Sequence, residues 1–223
     1  MGGRGAESGF GGSRSTSGNG RGASRFYDKT SKYQGMTMHE FENAVRDKKV
    51  EYIGVYDDKG QLIVAGTSYN SHSVAVPTNH PEFSKAHTLT HNHPYKPADE
   101  PHRTIGGSFS NADVTNHIQL GLKGETRAVS NGPNENTYIF RAKTGAKQDN
   151  IRMYKHMAKA EAAWQKTAQQ KVDDINKQLT KQGKSLSPSQ RKQVIYGAVK
   201  KGWQSTEVSA SGYEYIEVKK SHW

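Results

Sequence analysis

Between residues 150 and 182 apolar residues recur at Met153, Met157, Ala160, Trp164, Ala168, Val172, Ile175 and Leu179, spaced by threes and fours. That spacing draws one stripe along a long helix. Gly183 stops it, and Ser187-Pro188-Ser189-Gln190 opens a shorter helix through Val194, Ile195 and Val199 to Gly202. The middle of the chain repeats with a period of two instead, which predicts strands. Residues 51–56 and 61–65 form two of them, joined by the turn Asp57-Asp58-Lys59-Gly60. Further strands are expected over 73–76 and 88–93. A second hairpin joins 126–130 to 137–141 around Asn131-Gly132-Pro133-Asn134, and residues 213–218 read as a closing strand. Pro77 and Pro81 bracket a loop, with a helical turn over 83–86 after it. Two short helices complete the pattern. Thr37 and Glu40 have capping-box spacing ahead of Phe41, Ala44 and Val45, and Ser110 caps a helix to about Leu122 with Gly124 as its stop.

The alternating segments stand between two stretches of different texture. Residues 1–25 are Gly, Ser and Arg with almost nothing apolar, too little to offset the entropy of ordering them. Residues 1–35 are therefore expected to be a disordered Gly/Ser/Arg-rich leader. Residues 36–145 then hold an α+β domain whose sheet closes at the hairpin ending near Arg141. Residues 146–223 form a basic, mainly helical C-terminal region.

Charge follows the same division. The net charge is +11, spread as +4 over residues 1–35, −3 over 36–140 and +10 over 141–223. A basic end suits a polyanionic partner, usually a nucleic acid. It is equally the solvated side of a helix, since Lys155, Lys159, Lys166, Lys171, Lys177 and Lys181 all lie off the apolar stripe. There is no cysteine, which excludes disulfides and thiolate metal ligands and fits a reducing compartment. No apolar run approaches the length of a membrane span, so no membrane partner is expected.

With cysteine absent, a metal would have to be held by His, Asp or Glu, and two stretches bring such residues together. They are Thr90-His91-Asn92-His93-Pro94 and Ser110-Asn111-Ala112-Asp113. Alternate side chains of a strand share a face, so His91 and His93 project together. Asp113 lies one turn into the next helix and offers a carboxylate. Two imidazoles and one carboxylate leave a fourth tetrahedral position open, the arrangement of catalytic rather than structural zinc. Ser110 and Asp113 also have a plainer reading as a capping box, because an acid in the first turn suits the helix dipole. Of the other histidines, His87 shares the parity of the pair, His80 precedes Pro81 without a partner, and His117 follows Asp113 by one turn, where it could support a ligand.

The combination of an early glutamate, His-x-His-Pro at a strand end and Ser-x-x-Asp at the next helix resembles the JAB/MPN family, also called JAMM. The matching residues are Glu51, His91, His93, Pro94, Ser110 and Asp113. The wording HNHP, GGSFSNADV, ETRAV and TYIF is similar to the RadC-type branch and to JAB domains attached to phage head-morphogenesis proteins. The resemblance covers residues 36–142. It implies an α/β/α sandwich around a curved mixed sheet, and a Zn2+-dependent hydrolase of peptide or isopeptide bonds in a protein or peptide substrate, encoded by a phage or mobile element. It implies His91, His93 and Asp113 as zinc ligands. Glu51 would take a proton from the attacking water and pass it to the leaving amine, and Ser110 would hydrogen-bond the oxyanion. The phage resemblance also implies a location in the bacterial host cytosol or on the virion, and two other roles are open: a non-catalytic structural or head-morphogenesis-associated protein on the same scaffold, its basic C-terminal region meeting a virion partner, and a RadC-like DNA-associated protein. The chain departs from the family in a long insertion, residues 95–109, which carries Asp99, Glu100, His102 and a second serine, Ser108. Glu82 is a rival for the role of Glu51.

Overall fold

The computed structural model describes residues 25–94, 109–131 and 136–219. In chain order the elements are β1 (Tyr27–Asp28), α1 (Thr30–Tyr33), α2 (Met38–Arg46), β2 (Tyr52–Tyr56), β3 (Leu62–Thr67), β4 (Thr88–His93), α3 (Asn111–Gln119), β5 (Glu125–Ser130), β6 (Thr137–Ala142), α4 (Asn150–Thr180), α5 (Pro188–Trp203), α6 (Thr206–Ala210) and β7 (Tyr213–Val218). The strands make one seven-stranded mixed sheet in the order β1-β3-β2-β4-β5-β6-β7. Neighbours are antiparallel except β4 and β5, which run parallel. A parallel pair needs a crossover connection, and α3 lies in it.

Alternation assigns the two faces of the sheet. Tyr56 and Val129 meet Phe41 and Val45 of α2 on one side. Ile53, Val55 and Leu89 meet Leu122, just past α3, on the other, and Ala128 meets Val114 and Ile118 of α3 on that same side. α2 begins with the expected capping box, Thr37 accepting from the Glu40 N–H while the Glu40 carboxylate accepts from Thr37 N–H at 2.8 Å. Its close approach to the sheet depends on Gly54, where a Cβ would lie 2.9 Å from the Phe41 ring. Glu42 and Arg46 are buried on α2 as well. The Glu42 carboxylate takes two hydrogen bonds from Arg127 of β5, at 2.6 and 3.1 Å, and one from Thr90 at 2.8 Å.

Four sequence expectations are corrected. The sheet does not close at Arg141. β7 pairs with β6 from Ala142↔Tyr213 to Thr137↔Val218, so the C-terminal region supplies an edge strand. Met153 and Met157 of α4, Trp203 of α5 and Val208 of α6 share one core cluster with Val114, Ile118, Tyr138 and Phe140. Residues 25–35 are not leader: β1 pairs with β3, and Tyr33 of α1 is buried against Phe41. Residues 1–24 lie outside the described residues. No strand forms over 73–76: Val74 and Val76 pack against the core from an irregular segment, where the Ala75 N–H donates to Ser68 Oγ at 3.0 Å and to no strand. Finally, α3 stops at Gly121, whose φ of +61° reverses the chain, and not at Gly124. Gly124 is needed for another reason, since a Cβ there would lie 2.3 Å from His87 Nδ1 and Thr88 Oγ1.

The two expected C-terminal helices form as α4 and α5, the second opened by a capping box of Ser187 and Gln190. Along the stripe Met153, Met157, Ala168 and Val172 are buried, and Ile175 and Leu179 half-buried, while the side chains of Ala160 and Trp164 lie outside the described set. Among the described residues no helix is long and apolar enough to cross a membrane.

Candidate metal centre

His91 and His93 sit at the C-terminal end of β4, and the parallel β4–β5 step makes α3 start near that end. The pleat turns both imidazoles towards the α3 side of the sheet. Their Nε2 atoms are 2.8 Å apart. Asp113 Oδ1 is 3.2 Å from His91 Nε2, and Asp113 Oδ2 is 3.7 Å from His93 Nε2. These three are the one group of potential metal ligands found among the described residues. Tetrahedral zinc with bonds of about 2.0–2.1 Å sets its ligand atoms roughly 3.3 Å apart, a spacing the three contacts bracket.

The capping and ligand readings of Asp113 turn out to be compatible, because a carboxylate has two oxygens. Oδ2 accepts from the Ser110 N–H at 2.7 Å and from the Ser110 hydroxyl at 2.9 Å, while Oδ1 is turned to His91. The cap thus orients the ligand. Burial opposes charge on Asp113, but the His91 and His93 imidazoles and the Ser110 backbone outweigh it and hold the carboxyl well below its usual range. Burial likewise opposes charge on His91, and Asp113 outweighs it and raises the imidazole. The group is therefore arranged around positive charge. A hydrogen bond to the Arg127 backbone raises the His91 imidazole further, a partner of the kind that outer groups give metal-bound histidines.

Glu51 lies one residue before β2 and is 8 % exposed. Burial, with Asp113 adding to it and His91 opposing, pushes its carboxyl up to about 8. Such a carboxyl is protonated at neutral pH; a cation held by His91, His93 and Asp113 would favour its charged form, the one able to accept a proton. Glu82 stands in different company: it is exposed and paired with Lys85 at 2.5 Å, and the other charges acting on it are His80 and Asp57. Ser110 is exposed at the start of α3. Residues 95–108, with Asp99, Glu100, His102 and Ser108, lie outside the described residues.

Two supports of the site were not anticipated. Phe109 is buried, and its carbonyl accepts from the Trp203 indole N–H at 3.2 Å; Asn111 Nδ2 donates to the Met157 carbonyl at 3.4 Å. The C-terminal helices therefore hold the start of α3, and with it Asp113. A signal existed for Phe109: an apolar residue just before the N-cap and another at Val114 have hydrophobic-staple spacing.

His117, one turn after Asp113 and open to a supporting role there, belongs to the core. Its Nδ1 is 3.0 Å from Thr126 Oγ1, and its ring meets the edges of Phe140 and Tyr213. Burial pushes it down to about 4. The unfolded chain, with an ordinary histidine, binds the proton first as pH falls. The stability His117 confers is thus intact above about 6.5 and is lost as pH drops towards 4, up to roughly 3 kcal/mol. Denaturant titrations of wild type and His117→Gln across this range are expected to show the flatter pH dependence in the variant. Parallel curves would contradict the assignment.

Comparisons with protein-family models, with curated proteins and with solved structures found no match to this chain.

Proposed function

We propose that this chain is a zinc-dependent hydrolase of peptide or isopeptide bonds with a site of JAB/MPN type. The observation that carries this reading is the convergence of His91, His93 and Asp113 beside a buried Glu51 at one end of the sheet. The donor set fits zinc: two imidazole nitrogens and a carboxylate, within reach of one ion. A mixed sheet with helices on both faces is compatible with the α/β/α sandwich of that family.

When bound, zinc supplies a Lewis acid that polarises the carbonyl and makes water nucleophilic near neutral pH. The protein's own groups do the rest. Glu51 accepts a proton from the attacking water and delivers it to the leaving amine nitrogen. Asp113, oriented by Ser110, and His91, held in β4 between β2 and β5, keep the ligand geometry. The Ser110 hydroxyl, exposed at the rim, is the donor assigned to the developing oxyanion; its one hydrogen turns from Asp113 Oδ2 to do so, while the Ser110 N–H keeps its bond to that carboxylate.

The test is cleavage of a panel of quenched-fluorescent peptides, including a Gly–Lys isopeptide-linked probe. Glu51→Gln is expected to keep its zinc and to lose cleavage by about 100-fold or more, since an amide cannot carry the proton. Glu82→Gln is expected to match wild type. Equal rates for Glu51→Gln and wild type would sink the mechanism. A second reading, a non-catalytic phage or DNA-associated protein on this scaffold, draws on the exposed Lys155, Lys166, Lys171, Lys177 and Lys181. It would be favoured by salt-dependent DNA binding in a protein that cleaves none of the probes.

A further inference from the structure

The residue between the two histidines is completely buried, and its side chain points away from them. Asn92 Oδ1 accepts from the Tyr52 N–H at 2.7 Å, and Asn92 Nδ2 donates to the Val50 carbonyl at 3.1 Å. These are the backbone groups on either side of Glu51. The two that belong to Glu51 itself are also held. Its N–H donates to the Asn70 carbonyl at 2.8 Å, and its carbonyl accepts from Thr67 Oγ1 at 2.6 Å.

The place where this happens is informative. β2 and β4 pair from Tyr56↔Thr88 to Ile53↔His91, and there the ladder ends. Continued in the same register, it would set Glu51 opposite His93. Instead of a further pair of backbone bonds, the Asn92 carboxamide spans the two strands. It has one donor and one acceptor in fixed planar geometry, which is what a carbonyl and an N–H two residues apart require. Aspartate lacks the donor, and alanine or serine cannot make both bonds.

We propose that Asn92 is a positioning residue: its carboxamide fixes Glu51 relative to the two histidines that flank Asn92 in the chain. The role rests on the hydrolase reading given above, in which Glu51 moves the proton. One side of the His91-Asn92-His93 strand then presents the ligands and the other sets the place of the base, so the two halves of the chemistry share a single rigid segment.

The experiment uses the full chain and a quenched-fluorescent peptide that wild type cleaves. Asn92→Ala is expected to retain zinc, because His91 remains in ladders with β2 and β5. Amide exchange at Tyr52 should quicken by about tenfold while Val55 keeps its protection. The rate constant kcat should fall by about tenfold or more with little change in KM. In a Glu51→Gln background, adding Asn92→Ala should cause no further loss, because a residue acting through Glu51 has nothing left to position. Additive losses, or exchange at Tyr52 equal to wild type, would overturn the proposal. Should Asn92→Ala not fold, Asn92→Asp, which keeps the shape and the acceptor for the Tyr52 N–H but has no N–H for the Val50 carbonyl, decides by the same kcat and double-variant readings. If wild type cleaves no probe, the hydrolase reading fails by itself, and exchange at Tyr52 still shows whether Asn92 holds this segment.

Discussion

A chain ending at Gly145 is expected to have no cooperative fold and to bind no zinc. Such a chain lacks β7, so β6 becomes an edge with unpaired backbone groups. It also lacks Met153, Met157, Trp203, Val208 and Tyr213, which cover Phe109, Val114, Ile118, Tyr138 and Phe140. Losing one buried Trp side chain costs about 3–5 kcal/mol, against a total stability of about 5–15 kcal/mol for a whole domain. Removing five core side chains at once exceeds that margin. The site is lost with the core, because Trp203 and the Met157 carbonyl hold the start of α3. Far-UV and near-UV circular dichroism, denaturant titration and metal content would check this. A sharp unfolding transition with zinc retained would instead make residues 146–223 a separable module.

The second large effect concerns a charge pair that the proposed chemistry does not use. Glu42 and Arg127 are 1 % and 5 % exposed, and they meet through two hydrogen bonds. Arg127 also reaches Glu125, which is paired in turn with Arg141, itself paired with Glu214 of β7. Glu42→Ala would leave the Arg127 guanidinium buried beside Thr90 without its main counter-charge. The expected cost is about 3–5 kcal/mol, on the order of 10 °C in Tm. Replacing both partners by apolar residues, Glu42→Leu with Arg127→Met, should recover most of it, because the cost lies in the orphaned charge. Denaturant midpoints of the single and double variants would show this, and a double variant no more stable than Glu42→Ala would contradict it.

Much of this architecture was legible because the signals are local. The boxes at Thr37/Glu40, Ser110/Asp113 and Ser187/Gln190 each mark a helix start within four residues. The period-two segments mark β2 to β6 and β7, and the stripe marks α4. The shared face of His91 and His93 follows from the pleat alone. What was missed depends on pairing across the chain. β1 has two exposed residues and is a strand only because β3 offers an edge. The segment 73–76 alternates like a strand, yet it buries Val74 and Val76 without joining the sheet. The place of β7 beside β6 sets the extent of the core, and no property of residues 141–150 announces it. Glu42 and Arg46 follow Phe41 and Val45 by one position, where charge reads as solvated surface; Arg127, Ser130 and Thr137 bury them. The part played by Asn92 needs the register of β2 on β4 and cannot be read from His-Asn-His.

The central claim is that His91, His93 and Asp113 are the ligands of one metal ion. Metal analysis by mass spectrometry on the purified full chain tests it most directly, alongside His93→Ala and Asp113→Ala prepared in the same way. The account expects about one zinc per chain in wild type and loss of most of it in each variant, with the fold retained by circular dichroism. Full zinc retention in both variants would contradict it.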